Sequence, residues 1–258
     1  MNAEKDAGRP PIFDFHFHYW AREDGSSNAD VIRGLIEPGA LEGILCCTSL
    51  GRGIDDPVEA NRVLFGLAAE LGPKKLPLLA SAHPTDAKWR EGLERMLSAS
   101  EAIVGIKLHP PVGRYEVTLE TVGPVFEFAE ERGLMIASHT CPVPGKSAMS
   151  FLPALEEHPE VTFIIYHAST HEESAYLAMR KNVYVEPTWI GFFRETFDMT
   201  GKLGGFGKLL AGTDGPGWFD GFEGDPYDDL HELACRMIDD EENVKSFLYG
   251  NAARLLGL

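Results

Sequence analysis

Two histidines one residue apart close the short apolar run Ile12-Phe13-Asp14-Phe15-His16-Phe17-His18. Aromatic and polar residues alternate along it. In an extended chain Phe13, Phe15 and Phe17 fall on one face and Asp14, His16 and His18 on the other. Two imidazoles held side by side on a strand make half of a metal site. An aspartate on the same face is placed to orient them. Farther along stand His83, Lys107, His109, His139, His167, Glu186 and Asp214, each at or near the end of an apolar run. Neutral imidazoles together with a carboxylate bind a borderline divalent ion such as Zn²⁺. Such an ion lowers the pKa of bound water from about 15.7 towards 7. A neighbouring aspartate can then accept the water's proton, and a further histidine can polarise a substrate or relay a proton.

These groups need elements that bring them together. The apolar and β-branched runs predict strands over Ile12–Tyr19, Leu41–Thr48, Leu76–His83, Ile103–His109, Leu134–Thr140, Val161–Ala168, Val183–Trp189 and Lys208–Asp214. Amphipathic stretches between them predict helices, among them Pro57–Leu71, Asp86–Ser98, Leu119–Arg132, Met149–His158, Glu172–Arg180 and Tyr227–Ile238. Eight strands alternating with helices predict an α/β chain folded as one (β/α)8 TIM barrel over residues 1–258. An open doubly wound sheet is the alternative, but no GxGxxG follows the first strand. Barrel enzymes carry their sites at the C-terminal strand ends. Of the nine histidines, His16, His18, His83, His109, His139 and His167 fall there, whereas His158, His171 and His231 fall in helices or loops.

Composition narrows the partners. Lys and Arg number 23 against 40 Asp and Glu, a formal charge of −17 that repels nucleic-acid phosphates and anionic lipid. No run of 18 apolar residues suggests a membrane span, and Met1–Arg9 lacks the apolar core of a signal peptide. Cys46, Cys47, Cys141 and Cys235 show no CxxC or disulfide-framework spacing, which predicts reduced thiols and a cytoplasmic protein. The expected partner is a small-molecule substrate, with a homodimer as the option for assembly.

The set His16, His18, His139, His167 and Asp214, each on the appropriate strand, resembles the amidohydrolase superfamily. Gly105-Ile106-Lys107-Leu108-His109-Pro110 and the closing Gly250-Asn251-Ala252-Ala253-Arg254-Leu255-Leu256-Gly257-Leu258 are similar to its amidohydrolase-2 branch, which includes aminocarboxymuconate-semialdehyde decarboxylase. The resemblance implies one divalent ion, Zn²⁺ ahead of Mn²⁺, held by His16, His18, His139 and Asp214. It implies His167 as a catalytic group beside the ion, with Asp214 also taking the proton of water. In binuclear relatives a strand-4 lysine is carboxylated and bridges two metals. In this branch a single metal is usual, and Lys107 is then placed to contact an anionic substrate.

His109, Arg114 and Trp189 are the further candidates for substrate contact, with Arg52, Trp218 and Phe219 also near predicted strand ends. His83 and Glu186 read as polar residues of the rim. Cys141, two residues after His139, shares its strand face and reads as a packed thiol. The expected activity is metal-dependent hydrolysis of an amide, lactone or ester. Non-oxidative decarboxylation of a small carboxylic acid is the alternative.

Overall fold

Seven parallel strands follow one another around the sheet in chain order: β1 (Phe13–His18), β2 (Gly43–Cys47), β3 (Leu78–Ala82), β4 (Ile103–Leu108), β5 (Met135–His139), β6 (Phe163–Tyr166) and β7 (Val183–Glu186). The computed structural model describes residues 10–22, 24–49, 56–168, 170–188, 194–217, 219 and 224–258. Helices intervene between successive strands, the crossover that parallel pairing requires. Among the described residues no helix is long and apolar enough to cross a membrane.

The predicted eighth strand is the main departure. Phe206–Lys208 is a 3₁₀ turn, and the segment after it forms only isolated parallel bridges, Val185 with Leu209 and Phe17 with Gly215. It still closes the barrel. Leu210 N–H donates to the Val185 carbonyl (2.9 Å), Phe15 N–H to Ala211 (2.8 Å), Asp214 N–H to His16 (2.8 Å) and His18 N–H to Gly215 (2.8 Å). The pairing is irregular because Asp214 takes a left-handed backbone, φ 56°, which no strand sustains.

Alternation explains the layers. On β2, Leu45 and Cys47 point into the barrel while Ile44 and Cys46 pack under the helices. The barrel interior holds Phe13, Phe15, Leu45, Cys47, Leu79, Met135, Ala137, Ile164, Tyr166 and Leu210. Outside it, the helix Leu119–Arg132 is a representative crossover. Thr118 caps its N-terminus by accepting from Thr121 N–H, Gly133 ends it at φ 64°, and Val122, Val125, Phe126 and Ala129 face the sheet. Val122, Val125 and Phe126 each contribute about 1.5–3 kcal/mol by burial. The predicted helix Pro57–Leu71 is instead divided at Asn61, whose side chain accepts from Ser49 N–H and donates to the Pro57 carbonyl.

The alternation of β1 breaks at its centre. Phe13 and Asp14 pair with Gly43 and Ile44, but Phe17 and His18 pair with Cys46 and Cys47, so β1 carries one extra residue. This is a β-bulge, and it puts Phe15 and His16 on the same side. Phe17 packs in the outer layer instead of beside Phe13 and Phe15. Asp14 is likewise not beside the imidazoles, a correction to the expectation from strict alternation; it lies behind the sheet against Tyr227 and Thr213.

The interior tolerates no added volume at Gly105 on β4. A Cβ there would lie 2.5 Å from Met135 Cγ and 2.7 Å from both Leu79 Cδ2 and the Met135 carbonyl. Gly105→Ala is expected to destabilise by about 1–3 kcal/mol, measured by urea unfolding. A wild-type midpoint would show that the barrel interior can relax around a methyl group.

Candidate metal centre

Each group at the barrel mouth is placed by a strand end. His16 and His18 come from β1, Lys107 from β4, His139 from β5 and Glu186 from β7. His167 follows β6 directly, and Asp214 lies on the closing segment. His167, Ala168, Thr188 and Asp214 all have positive φ (70°, 47°, 28° and 56°). For residues with a Cβ such backbones cost about 1–2 kcal/mol each. Strain of this kind collects at functional sites, and here it turns His167 into the mouth although Tyr166 before it already points inward.

Three donor atoms converge. His16 Nε2 lies 3.1 Å from His18 Nε2 and 3.2 Å from Asp214 Oδ1, and His18 Nε2 lies 2.9 Å from the same oxygen. Ligands bound at about 2.0–2.1 Å around one small divalent ion stand roughly 3.0–3.4 Å apart. Among the described residues these three form the one group of histidine, cysteine or acidic side chains whose donor atoms gather this closely.

His16 is held on every side. Its ring stacks on Tyr166 at 3.7 Å between centroids, and its Nδ1 lies 2.7 Å from Glu186 Oε2. Glu186 also accepts from Thr188 N–H (2.6 Å) and the Thr188 hydroxyl (2.7 Å). With Glu186 as acceptor, His16 Nδ1 carries the hydrogen and the Nε2 lone pair faces His18 and Asp214. This carboxylate–histidine pairing is the usual support of a metal-bound imidazole. Burial pushes Glu186 up to about 8, against the pull of its Thr188 bonds. The ionised carboxylate is therefore favoured by positive charge nearby. Lys107 Nζ, 3.3 Å from His16 Nε2, is one such charge, and a divalent ion at Nε2 would be a stronger one. The donor set thus fits a divalent cation.

The other imidazoles form a row. His167 Nε2 is 3.9 Å from Asp214 Oδ2, the rings of His167 and His139 are 4.3 Å apart, and His139 stacks on His109 at 4.2 Å. His139 lies beside the converging trio and outside it. Burial, reinforced by the neighbouring imidazoles and Lys107, lowers His109 to about 2, His139 to about 4 and His167 to about 3. Burial also lowers His16, His18 and Lys107. Asp214 goes the other way: burial would raise it, but the hydrogen bond from His18 and the charges of His18, His167 and Lys107 bring it below the usual carboxylate value.

The remaining candidates divide. His109 accepts from Val112 N–H through Nδ1 (3.3 Å), capping the turn Pro110–Gly113. Arg114 ends that turn, exposed and left-handed. His83 lines a cavity of about 240 Å³ between the ends of β2 and β3 and the helix Trp89–Ala99. Phe219 packs on Phe17 and Tyr227. Cys141 faces the Lys146 carbonyl at 4.0 Å. Trp189, Arg52 and Trp218 lie outside the described residues. Alternation along β7 makes Glu186 a polar residue of the rim, and the structure makes it the partner of His16. Its place at the end of β7, on the interior face, was the available signal for its contact with His16.

The structure is a parallel barrel with a candidate metal donor set at its C-terminal rim. The chain belongs to the amidohydrolase family, the amidohydrolase-2 group, whose profile matches residues 13–258. Similar solved structures include a probable 2-pyrone-4,6-dicarboxylic acid hydrolase from Acinetobacter baumannii with citric acid bound (TM-score 0.72, 16% identity, covering 96% of this chain and 100% of that one). A 2,6-dihydroxybenzoate decarboxylase from Rhizobium aligns with TM-score 0.67 and 15% identity over 96% and 98% of the two chains. An amidohydrolase from Burkholderia multivorans with bound zinc aligns with TM-score 0.66 and 13% identity over 96% and 99%. Among curated proteins none matches the sequence. At these identities the structures establish a shared barrel fold.

Two expectations follow. Glu186→Gln keeps an acceptor for His16 but loses its charge, so Zn²⁺ affinity by equilibrium dialysis should weaken about 10–100-fold; unchanged affinity would remove Glu186 from the site's support. The second concerns the metal-free protein. All five imidazoles are lowered when folded, His109, His139 and His167 to about 2, 4 and 3, so the folded protein takes up protons less readily than the unfolded chain, whose imidazoles charge below about 6.5. Asp14 and Glu186, raised by burial to about 6 and 8, act oppositely because they hold protons in the folded state. The imidazoles outnumber them, so the unfolded chain binds more protons and stability falls as pH drops from about 6.5 to 5. Urea midpoints at pH 7, 6 and 5 should decrease in that order; a level series contradicts the buried neutral imidazoles.

Proposed function

We propose that the protein is a metal-dependent hydrolase that adds water to the carbonyl of a small amide, lactone or ester. The observation that carries this reading is the convergence of His16 Nε2, His18 Nε2 and Asp214 Oδ1 within 3.2 Å of one another. These three would hold the ion, with His139 the further ligand expected from the family. A bound divalent ion, Zn²⁺ ahead of Mn²⁺, supplies hydroxide at neutral pH by acidifying water.

The chain's own groups do the rest. Asp214, kept ionised by its cationic and imidazole neighbours, is the base that takes the proton from water. His167, held neutral by burial, donates an N–H to the developing oxyanion. Its Nε2, 3.9 Å from Asp214 Oδ2, can also relay that proton to the leaving group. Lys107, buried beside His16 and 3.8 Å above the Tyr166 ring, adds positive charge that favours an anionic substrate. His109 borders the same row of rings. The hydrolase among the similar structures supports hydrolysis, and the decarboxylase among them makes carbon dioxide release the outcome to test against. All four cysteines are unpaired, which supports a cytoplasmic setting.

A panel of lactones, esters, amides and aromatic carboxylic acids, assayed with Zn²⁺- or Mn²⁺-loaded protein, decides the reaction. Expected are net water addition without carbon dioxide, one metal per chain, and loss of activity on chelation. His139→Ala should lose metal. His167→Asn should keep it and lose about 10²–10⁴ in kcat. Stoichiometric carbon dioxide from an acid, with no ester, lactone or amide turned over, would overturn hydrolysis.

A further inference from the structure

We propose that Asp14 is the positioning residue of the metal centre, acting with Tyr227 from behind the barrel wall, an inference that rests on the metal-dependent reading above. The reason lies in backbone hydrogen bonds. Phe15 N–H donates to the Ala211 carbonyl, and regular parallel pairing would return Thr213 N–H to the Phe15 carbonyl. The bulge in β1 forbids that. It leaves the His16 and Thr213 amides out of the ladder, both buried, where an unmade hydrogen bond is costly.

One carboxylate takes both. Asp14 Oδ1 accepts from His16 N–H (3.0 Å) and Thr213 N–H (3.1 Å). Its Oδ2 accepts from the Thr213 hydroxyl (2.6 Å) and the Tyr227 hydroxyl (2.8 Å). Thr213 Oγ1 in turn accepts from Gly215 N–H (3.1 Å). The displaced Phe15 carbonyl is satisfied by the Tyr166 hydroxyl (2.7 Å), on the ring that stacks under His16.

Asp14 therefore holds the residues that carry metal donors on both sides of the seam. It binds the amide of His16 itself and the residue immediately before Asp214. Asp14, Thr213 and Tyr227 are all buried. The carboxylate holds the site through these backbone amides. The helix Pro226–Met237, which carries Tyr227 and is capped by Asp225, is thereby tied to the spacing of the donor atoms.

The test uses full-length Asp14→Asn and Tyr227→Phe proteins with Co²⁺ as probe. Asparagine keeps one acceptor and loses the second, and phenylalanine removes a single bond, so both are expected to fold. Asp14→Asn should bind Co²⁺ about 10–100-fold more weakly, the usual consequence of removing outer support, with a changed ligand-field spectrum. Tyr227→Phe should move both readouts the same way by less. Phe126→Leu, a core cut on the outer face, should lower Tm and leave the Co²⁺ affinity and spectrum unchanged. In metal-free protein the amides of His16 and Thr213 both bond to Asp14 Oδ1, so they should exchange at least about tenfold faster than in wild type in Asp14→Ala, which removes both acceptor oxygens. Wild-type affinity and spectrum in both variants, or unchanged exchange at both amides, overturns the positioning role. Failure of the wild type to bind Co²⁺ overturns the metal-dependent reading instead, and the exchange rates still judge Asp14.

Discussion

A parallel barrel depends on the seam where its last strand meets its first, and in this protein the seam is irregular. The segment around 209–215 lies between β7 and β1 and reaches both through scattered backbone hydrogen bonds rather than a regular ladder. The three converging donors stand on its two sides: His16 and His18 on β1, Asp214 on the closing segment. Their spacing is the spacing of the seam. An extra residue in β1, four positive-φ residues around the mouth, and buried side chains that take up displaced amides are parts of one local solution. Regular strands would close the barrel more simply, but strict alternation would not turn both Phe15 and His16 to the same side.

Burial sets the chemistry of the site as much as position does. Imidazoles near a lysine, sunk among aromatic rings, stay neutral at physiological pH because charging them in a poorly solvated wall is unfavourable. Neutral imidazole is the form that ligates a metal or donates a hydrogen bond without bringing its own charge. Glu186 is the counterpart. It is fully buried and bonded to His16 and Thr188, and its ionisation depends on cationic charge. The site thus gathers two carboxylates, a set of neutral imidazoles and a buried amine around one point. Membership of the amidohydrolase family accords with that arrangement.

Much of this was legible in the chain. The apolar runs and the helices between them announced an alternating β/α barrel, because a period of two and a period of 3.6 are properties of local sequence. The residue types His16, His18, Lys107, His139, His167 and Asp214 at the ends of those runs announced a rim of ligating chemistry. Seven strands formed near the expected places, shorter at the ends where residues leave the ladder. What alternation could not reveal was its own interruption. A one-residue bulge depends on how β1 pairs with β2 and with the closing segment, so alternation places Asp14 beside the imidazoles when it lies behind them.

The sequence by itself determined the alternation of elements, the donor types and their assignment to strand ends, since each of these is written within a few consecutive residues. Only the tertiary structure decided which donors meet. The convergence of His16, His18 and Asp214, the pairing of His16 with Glu186 170 residues away, and the place of His139 beside them, stacked on His109 and tilted against His167, are all set by pairing between distant strands. The physical reason is that side-chain direction at a strand end follows from register and backbone conformation. Both are fixed by hydrogen bonds to other parts of the chain, and no window of local sequence contains them.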